Sequence, residues 1–84
     1  MPVISKFYGV VIKMYFIQKE HNPPHIHAIY GDYMSAINIK TFEVIEGDLP
    51  PRAVSLVIKW IKLHQEKILY MWEKQEFDKI EPLE

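Results

Sequence analysis

Three of the four histidines in this 84-residue chain fall within seven residues, in the block His21-Asn22-Pro23-Pro24-His25-Ile26-His27. Positions i and i+2 of a β-strand point the same way about 6.5–7 Å apart, so His25 and His27 can converge on one small ligand. Two imidazoles so placed, with His21 looping back over the Pro-Pro spacer as a third ligand, are one way to hold zinc with a position left open for water. No carboxylate stands at a fixed spacing to complete such a set. The plainer alternative is that two strand histidines cap a hairpin opposite Asn38 while the prolines set a turn. The same pair supports chemistry without a metal. One histidine acting as base and one as acid, with Lys40 stabilising a phosphate charge, can cleave RNA through its 2′-hydroxyl. Exposed aromatics such as Tyr8 or Tyr15 can stack bases. Charge argues against this, because the formal net charge is −1 and Arg52 is the one arginine. A non-specific nucleic-acid binder carries a clear basic excess.

Little else in the chain offers chemistry. The chain has no cysteine, which excludes disulfides, thiolate chemistry, cysteine-based zinc sites and iron–sulfur clusters and fits a reducing cytoplasm. No serine or threonine sits in a nucleophile-elbow context, and no phosphate loop, dinucleotide fingerprint or paired-carboxylate pattern occurs. His64 falls on an apolar helical stripe and reads as a buried, hydrogen-bonded histidine or one at the open end of that stripe. The apolar run from Tyr8 to Ile17 is cut by Lys13 and is too short to span a membrane, and no signal-peptide pattern opens the chain. A cytoplasmic protein is the expectation.

With 49% apolar and 25% charged residues the composition is that of a globular domain. Residues 1–84 read as one domain, since either half would be too short to close a core. A domain of this size buries about 60–65% of its unfolded surface, so a partner would add needed stability. Residues 1–46 are short, β-branched and aromatic segments, read as strands and hairpins. The first strand runs from Phe7 to Ile17. His25 to Tyr30 and Tyr33 to Ile39 are two strands joined by a Gly31-Asp32 turn, and Glu43 to Glu46 is a fourth. Gly47-Asp48-Leu49-Pro50-Pro51 stops the sheet and starts a helix, with Asp48 as an N-cap or near-cap. Residues 50–75 form one amphipathic helix with Ala53, Leu56, Val57, Trp60, Ile61, His64, Ile68, Met71 and Trp72 on one stripe. Residues 77–84 are a tail. The expected fold is α+β: a small antiparallel sheet of about four strands, covered on one face by one long C-terminal helix.

Counting outward from the two-residue turn places the histidines. Tyr30 faces Tyr33, Ala28 faces Ser35 and Ile26 faces Ile37, with His27 opposite Ala36 and His25 opposite Asn38. Ile26, Ala28, Ile37 and Ile39 then lie under the helix. His25, His27, Asn38 and Lys40 share the other face, which no helix covers.

The opening Met1-Pro2-Val3-Ile4-Ser5-Lys6-Phe7-Tyr8-Gly9, the His21–His27 block, the Glu46-Gly47-Asp48-Leu49-Pro50 junction and the closing Lys79-Ile80-Glu81-Pro82-Leu83 together resemble the small bacterial domain-of-unknown-function family DUF4160. The resemblance covers essentially the whole chain, with Ile26 standing where the family usually has phenylalanine. It carries no established activity. It implies a gene neighbour from a second such family, DUF2442, in a pairing that looks like a toxin–antitoxin module. It also implies that a family function would fall on His21, Asn22, Pro24, His25 and His27.

The residues and the resemblance together lead to an interaction subunit of a two-gene module. It would bind a second copy of itself or a small protein encoded next door, through the uncovered sheet face and edge. A histidine-dependent hydrolase or ribonuclease using His25 and His27, with or without a divalent metal such as zinc, is the rival. A DNA-binding regulator comes third, since no helix-turn-helix is recognisable.

Overall fold

The strand formers between Phe7 and Ile17 do not make one strand. In the computed structural model, which describes residues 3–14, 23–76 and 78–82, the chain reverses at Tyr8-Gly9. Both residues have positive φ, 50° and 82°, as a two-residue type I′ hairpin requires. The result is two strands, β1 (Val3–Phe7) and β2 (Val10–Lys13). They are followed by β3 (His25–Tyr30), β4 (Tyr33–Asn38), β5 (Val44–Gly47) and the helix α1 (Pro51–Lys74). The strands lie in chain order in one antiparallel sheet, so the sheet has five strands where about four were expected.

The register around Gly31-Asp32 is the one obtained by counting: Tyr30 opposite Tyr33, Ala28 opposite Ser35, Ile26 opposite Ile37, His27 opposite Ala36 and His25 opposite Asn38. Ile26, Ala28, Ile37 and Ile39 are fully buried, as are Ile12 on β2 and Val57, Trp60, Ile61 and Ile68 on the helix. One apolar face of the sheet thus meets one stripe of the helix, and this interface is the core. Both edge strands carry a register shift, at Ile4 on β1 and at Ile45 on β5. Bulges of this kind twist an edge away from further strand pairing.

Residues 47–51 turn the chain from sheet to helix. Gly47 adopts φ 103°, and a Cβ there would collide with the Met34 carbonyl oxygen and with Ser35. The Asp48 amide donates to the Met34 carbonyl at 3.0 Å, and the buried Leu49 amide donates to Ser35 Oγ at 2.9 Å. Asp48 is not the helix cap expected from its residue type. The N-cap is Pro50, without a side-chain cap bond, and Asp48 Oδ1 instead accepts the Met34 amide at 3.3 Å. Pro51 opens the helix, where a missing amide donor costs nothing.

The helix is not straight. His64 has φ −125° and ψ 19°, values outside the helical range, so a kink divides α1 into two arms. The second arm ends in a Schellman cap: Gln75 is left-handed at φ 55°, its amide meets the Trp72 carbonyl, and the Glu76 amide meets the Met71 carbonyl. The tail then returns to the start of the chain. Ile80 is buried and its amide donates to the Ile4 carbonyl at 2.7 Å, while Trp60 Nε1 donates to the Glu81 carbonyl at 2.9 Å.

Candidate functional site

Directly paired residues share a face, so the ladder of β2, β3, β4 and β5 can be read as rows. One row on the face away from the core runs Lys13, His27, Ala36, Glu46. It sets a cation and a carboxylate on either side of His27, with only the small Ala36 between imidazole and carboxylate. His25 and Asn38 form the next row. The rings of His25 and His27 are 5.1 Å apart, edge to face.

His25 is held from two sides. Its Nδ1 lies 2.8 Å from the Pro23 carbonyl oxygen, which can only accept, so Nδ1 carries the proton and Nε2 is the free ring nitrogen. The Trp72 indole lies 5.2 Å from the His25 ring. The second arm of the kinked helix therefore reaches the start of β3, and the expected bare histidine face has an indole against its first residue. His25 and His27 are both half-buried.

The other site residues expected from sequence are placed as follows. The Asn38 side-chain oxygen accepts the amides of Lys40 and Thr41 at 2.7 and 3.0 Å, so it is engaged in building the turn after β4. Lys40 lies exposed in that turn, past the end of the strand. The Pro24 carbonyl accepts the Ile39 amide at 2.9 Å and extends the β3–β4 ladder by one step. His64 sits at the kink with its ring 5.5 Å from Trp60, in contact with the core. His21, Asn22 and Tyr15 lie outside the described residues. Among the described residues no group of three or more His, Cys, Asp or Glu side chains converges to hold a metal ion, so two imidazoles are what these residues bring to one.

A family model described as a domain of unknown function (DUF4160) matches residues 9–73, well over half of the chain. The protein belongs to the DUF4160 family. The match takes in β2 to β5, the histidine strand, the Gly47 junction and both arms of the helix. No curated protein and no solved structure matches this DUF4160 chain. Among the described residues no helix is long and apolar enough to cross a membrane.

Three neighbours of the DUF4160 histidines were not visible in the sequence. Lys13 is a break in an apolar run, and its pairing with His27 depends on the β2–β3 register, which no short turn announces. Glu46 sits two strands from His27. Trp72 reads as one more residue of the apolar stripe, and its contact with His25 depends on how the second arm packs against the sheet.

Burial, with help from the nearby His25, lowers the His27 pKa below the usual 6.5, against a smaller upward pull from Glu46. The unfolded chain then takes up a proton at His27 more readily than the folded one. His27 is without effect on stability well above pH 6.5. As pH falls below 6.5 it destabilises the fold, until the folded-state pKa is passed and the effect levels off. Urea midpoints of wild type and His27→Gln measured from pH 8 to pH 5 should diverge below pH 6.5, with the wild type falling more steeply. Parallel curves would show that His27 titrates alike in both states.

Proposed function

We propose that this protein is an interaction subunit, binding a small protein partner in a two-gene, toxin–antitoxin-like module. The observation that carries the reading is a set of large apolar side chains on two adjacent strands. Tyr33 and Met34 of β4 and Val44 and Ile45 of β5 are each 40–46% exposed. Isolated exposed apolar residues are ordinary, but these four flank one edge of the sheet from both sides, Tyr33 on the face of Ser35 and Ile37 and Met34 on the face of Ala36, and so suit a partner that wraps that edge. The bulge at Ile45 argues that the partner docks on side chains rather than by adding a strand to β5. The test is co-purification with the product of the adjacent gene, using wild type and Met34→Lys/Ile45→Lys. Wild type should hold its partner at micromolar concentration, and the exposed double variant should stay folded and bind at least tenfold more weakly. A wild type that remains monomeric beside that product, or a variant that binds undiminished, would remove the reading.

A second reading is a histidine-dependent hydrolase or ribonuclease. It is favoured by the 5.1 Å ring pair together with the lowered His27 pKa, which keeps that imidazole neutral and able to act as a base near pH 7. His27 would take the proton of an RNA 2′-hydroxyl, and His25, protonated, would give one to the leaving 5′-oxygen. His25→Ala/His27→Ala should then abolish cleavage of a model RNA while the circular dichroism spectrum is kept. Full retention of cleavage by that variant would exclude these histidines as its source.

A further inference from the structure

At the other end of β3 from the histidines the molecule has a cavity of about 660 Å³, lined by Tyr8, Val10, Tyr30, Pro50, Arg52, Ala53, Leu56 and Lys59. Six residues of strand separate His25 from Tyr30 inclusive, roughly 17 Å, so the two sites do not overlap. The volume lies within the range of small-molecule sites. Its walls are of two kinds. Tyr8 and Tyr30 project from the tips of neighbouring hairpins and are 60% and 42% exposed. Arg52 and Lys59 stand two helical turns apart on one side of the first arm of α1. Val10, Ala53 and Leu56 supply apolar surface between them.

Two features of these walls point to a ligand. Among the described residues the cations have no counter-charge: no carboxylate lines the cavity, the first turn of α1 holds no acidic residue, and neither Arg52 nor Lys59 makes an ion pair. Each tyrosine has a local constraint, Tyr8 on its backbone and Tyr30 on its ring. Tyr8 keeps a left-handed φ of 50°, a conformation that costs a bulky residue free energy. The Tyr30 ring lies against Gly9, where even a Cβ would come within 3.2 Å of it. Two exposed aromatic rings beside two cations that no described residue pairs are complementary to a flat ring bearing an anion.

We propose that this cavity binds a nucleoside monophosphate unit, with the base against Tyr8 and Tyr30 and the phosphate at Arg52 and Lys59. The unit can be a free nucleotide or the terminal nucleotide of an RNA strand. This site is separate from the histidine pair and borders the β4–β5 contact surface, since Tyr30 pairs directly with Tyr33.

The test is calorimetric titration of the full chain with AMP, with inorganic phosphate and with a pentanucleotide of adenosine carrying a 5′-phosphate. The variants are Arg52→Gln, Lys59→Gln and Tyr8→Asn, the last chosen because asparagine tolerates positive φ. All three positions are exposed, so folding should be unaffected, and circular dichroism checks this. AMP should bind at one site per chain and weaken with added salt. Each charge variant should lose about tenfold in affinity, and Tyr8→Asn a similar factor. His25→Ala/His27→Ala should bind AMP like wild type. Tighter binding of the pentanucleotide would identify a strand end as the source, and equal binding a free nucleotide; both support the proposal. Absence of saturable AMP binding at millimolar concentration overturns it. So does phosphate binding as tight as AMP, or unchanged affinity in the charge variants. Concentration-dependent self-association lost in Arg52→Gln, without AMP binding, would overturn it in favour of a second copy of the chain.

Discussion

Replacing Gly47 by alanine should cost on the order of 3 kcal/mol or more, a large share of the roughly 4–13 kcal/mol of stability that a domain of this size has. Two penalties coincide at this position. The φ of 103° lies in a region that residues with a Cβ rarely adopt, and the added methyl would meet backbone on the neighbouring strand, with Ser35 Cα at 2.6 Å and Ser35 Oγ at 2.7 Å. Relief would require β5 to move from β4, which would break the Leu49–Ser35 and Asp48–Met34 hydrogen bonds that lead into the helix. Gly31→Ala is the control. It also has positive φ, 60°, but nothing lies within 4 Å of its Cβ position, so it should cost about 1 kcal/mol. Thermal melts of the two variants decide the matter. If Gly47→Ala melts no lower than Gly31→Ala, the close approach of β5 to β4 is not a constraint on the fold.

Trp60→Ala should be as damaging, by about 3–5 kcal/mol. The side chain is 0% exposed, its ring stacks on Phe7 at 5.8 Å, and its Nε1 donates to the Glu81 carbonyl. One residue thus joins the helix, β1 and the tail. Trp60→Phe separates these roles, since it preserves most of the packing and removes the hydrogen bond. It should cost about 1–2 kcal/mol, a drop in Tm of roughly 4–16 °C. Limited proteolysis should also cut the tail faster in Trp60→Phe than in wild type, because Ile80 would be left to hold it with the single bond to Ile4. Equal cleavage of the two proteins would show that the indole does not tether the tail.

The parts of this fold that were legible in the sequence are those fixed by local rules. Gly31-Asp32 sets a two-residue turn, and from it the whole β3–β4 register followed by counting. That register placed Ile26, Ala28, Ile37 and Ile39 in the core and turned His25, His27 and Asn38 away from it. The helical stripe was legible for the same reason, because its period is a property of the chain alone. Where tertiary contacts decide, sequence reading fell short. Tyr8 is a strand former in a left-handed turn, so the break between β1 and β2 was hidden within an apolar run. The kink at His64 involves no proline or glycine, and nothing local announced that Trp72 would pack against His25. Asp48 is a good cap by type, but the neighbouring strand offered it the Met34 amide. Lys40 was assigned to the histidine face by extending the alternation past Asn38, where the strand in fact ends.

The chain-order arrangement of the sheet bears on how the molecule assembles. Because every strand pairs with the one made just before it, each pairing closes a short loop, and the five strands can zip together from the first hairpin onward. The helix contributes nothing until the sheet behind it exists. During synthesis the strands therefore precede their cover, and Ile12, Ile26, Ile37 and Ile39 lie open on a completed sheet until the segment from Ala53 to Trp72 folds down on them. Aggregation should compete with folding in that interval, and a delay placed between Pro50 and Trp60 in translation would lengthen it.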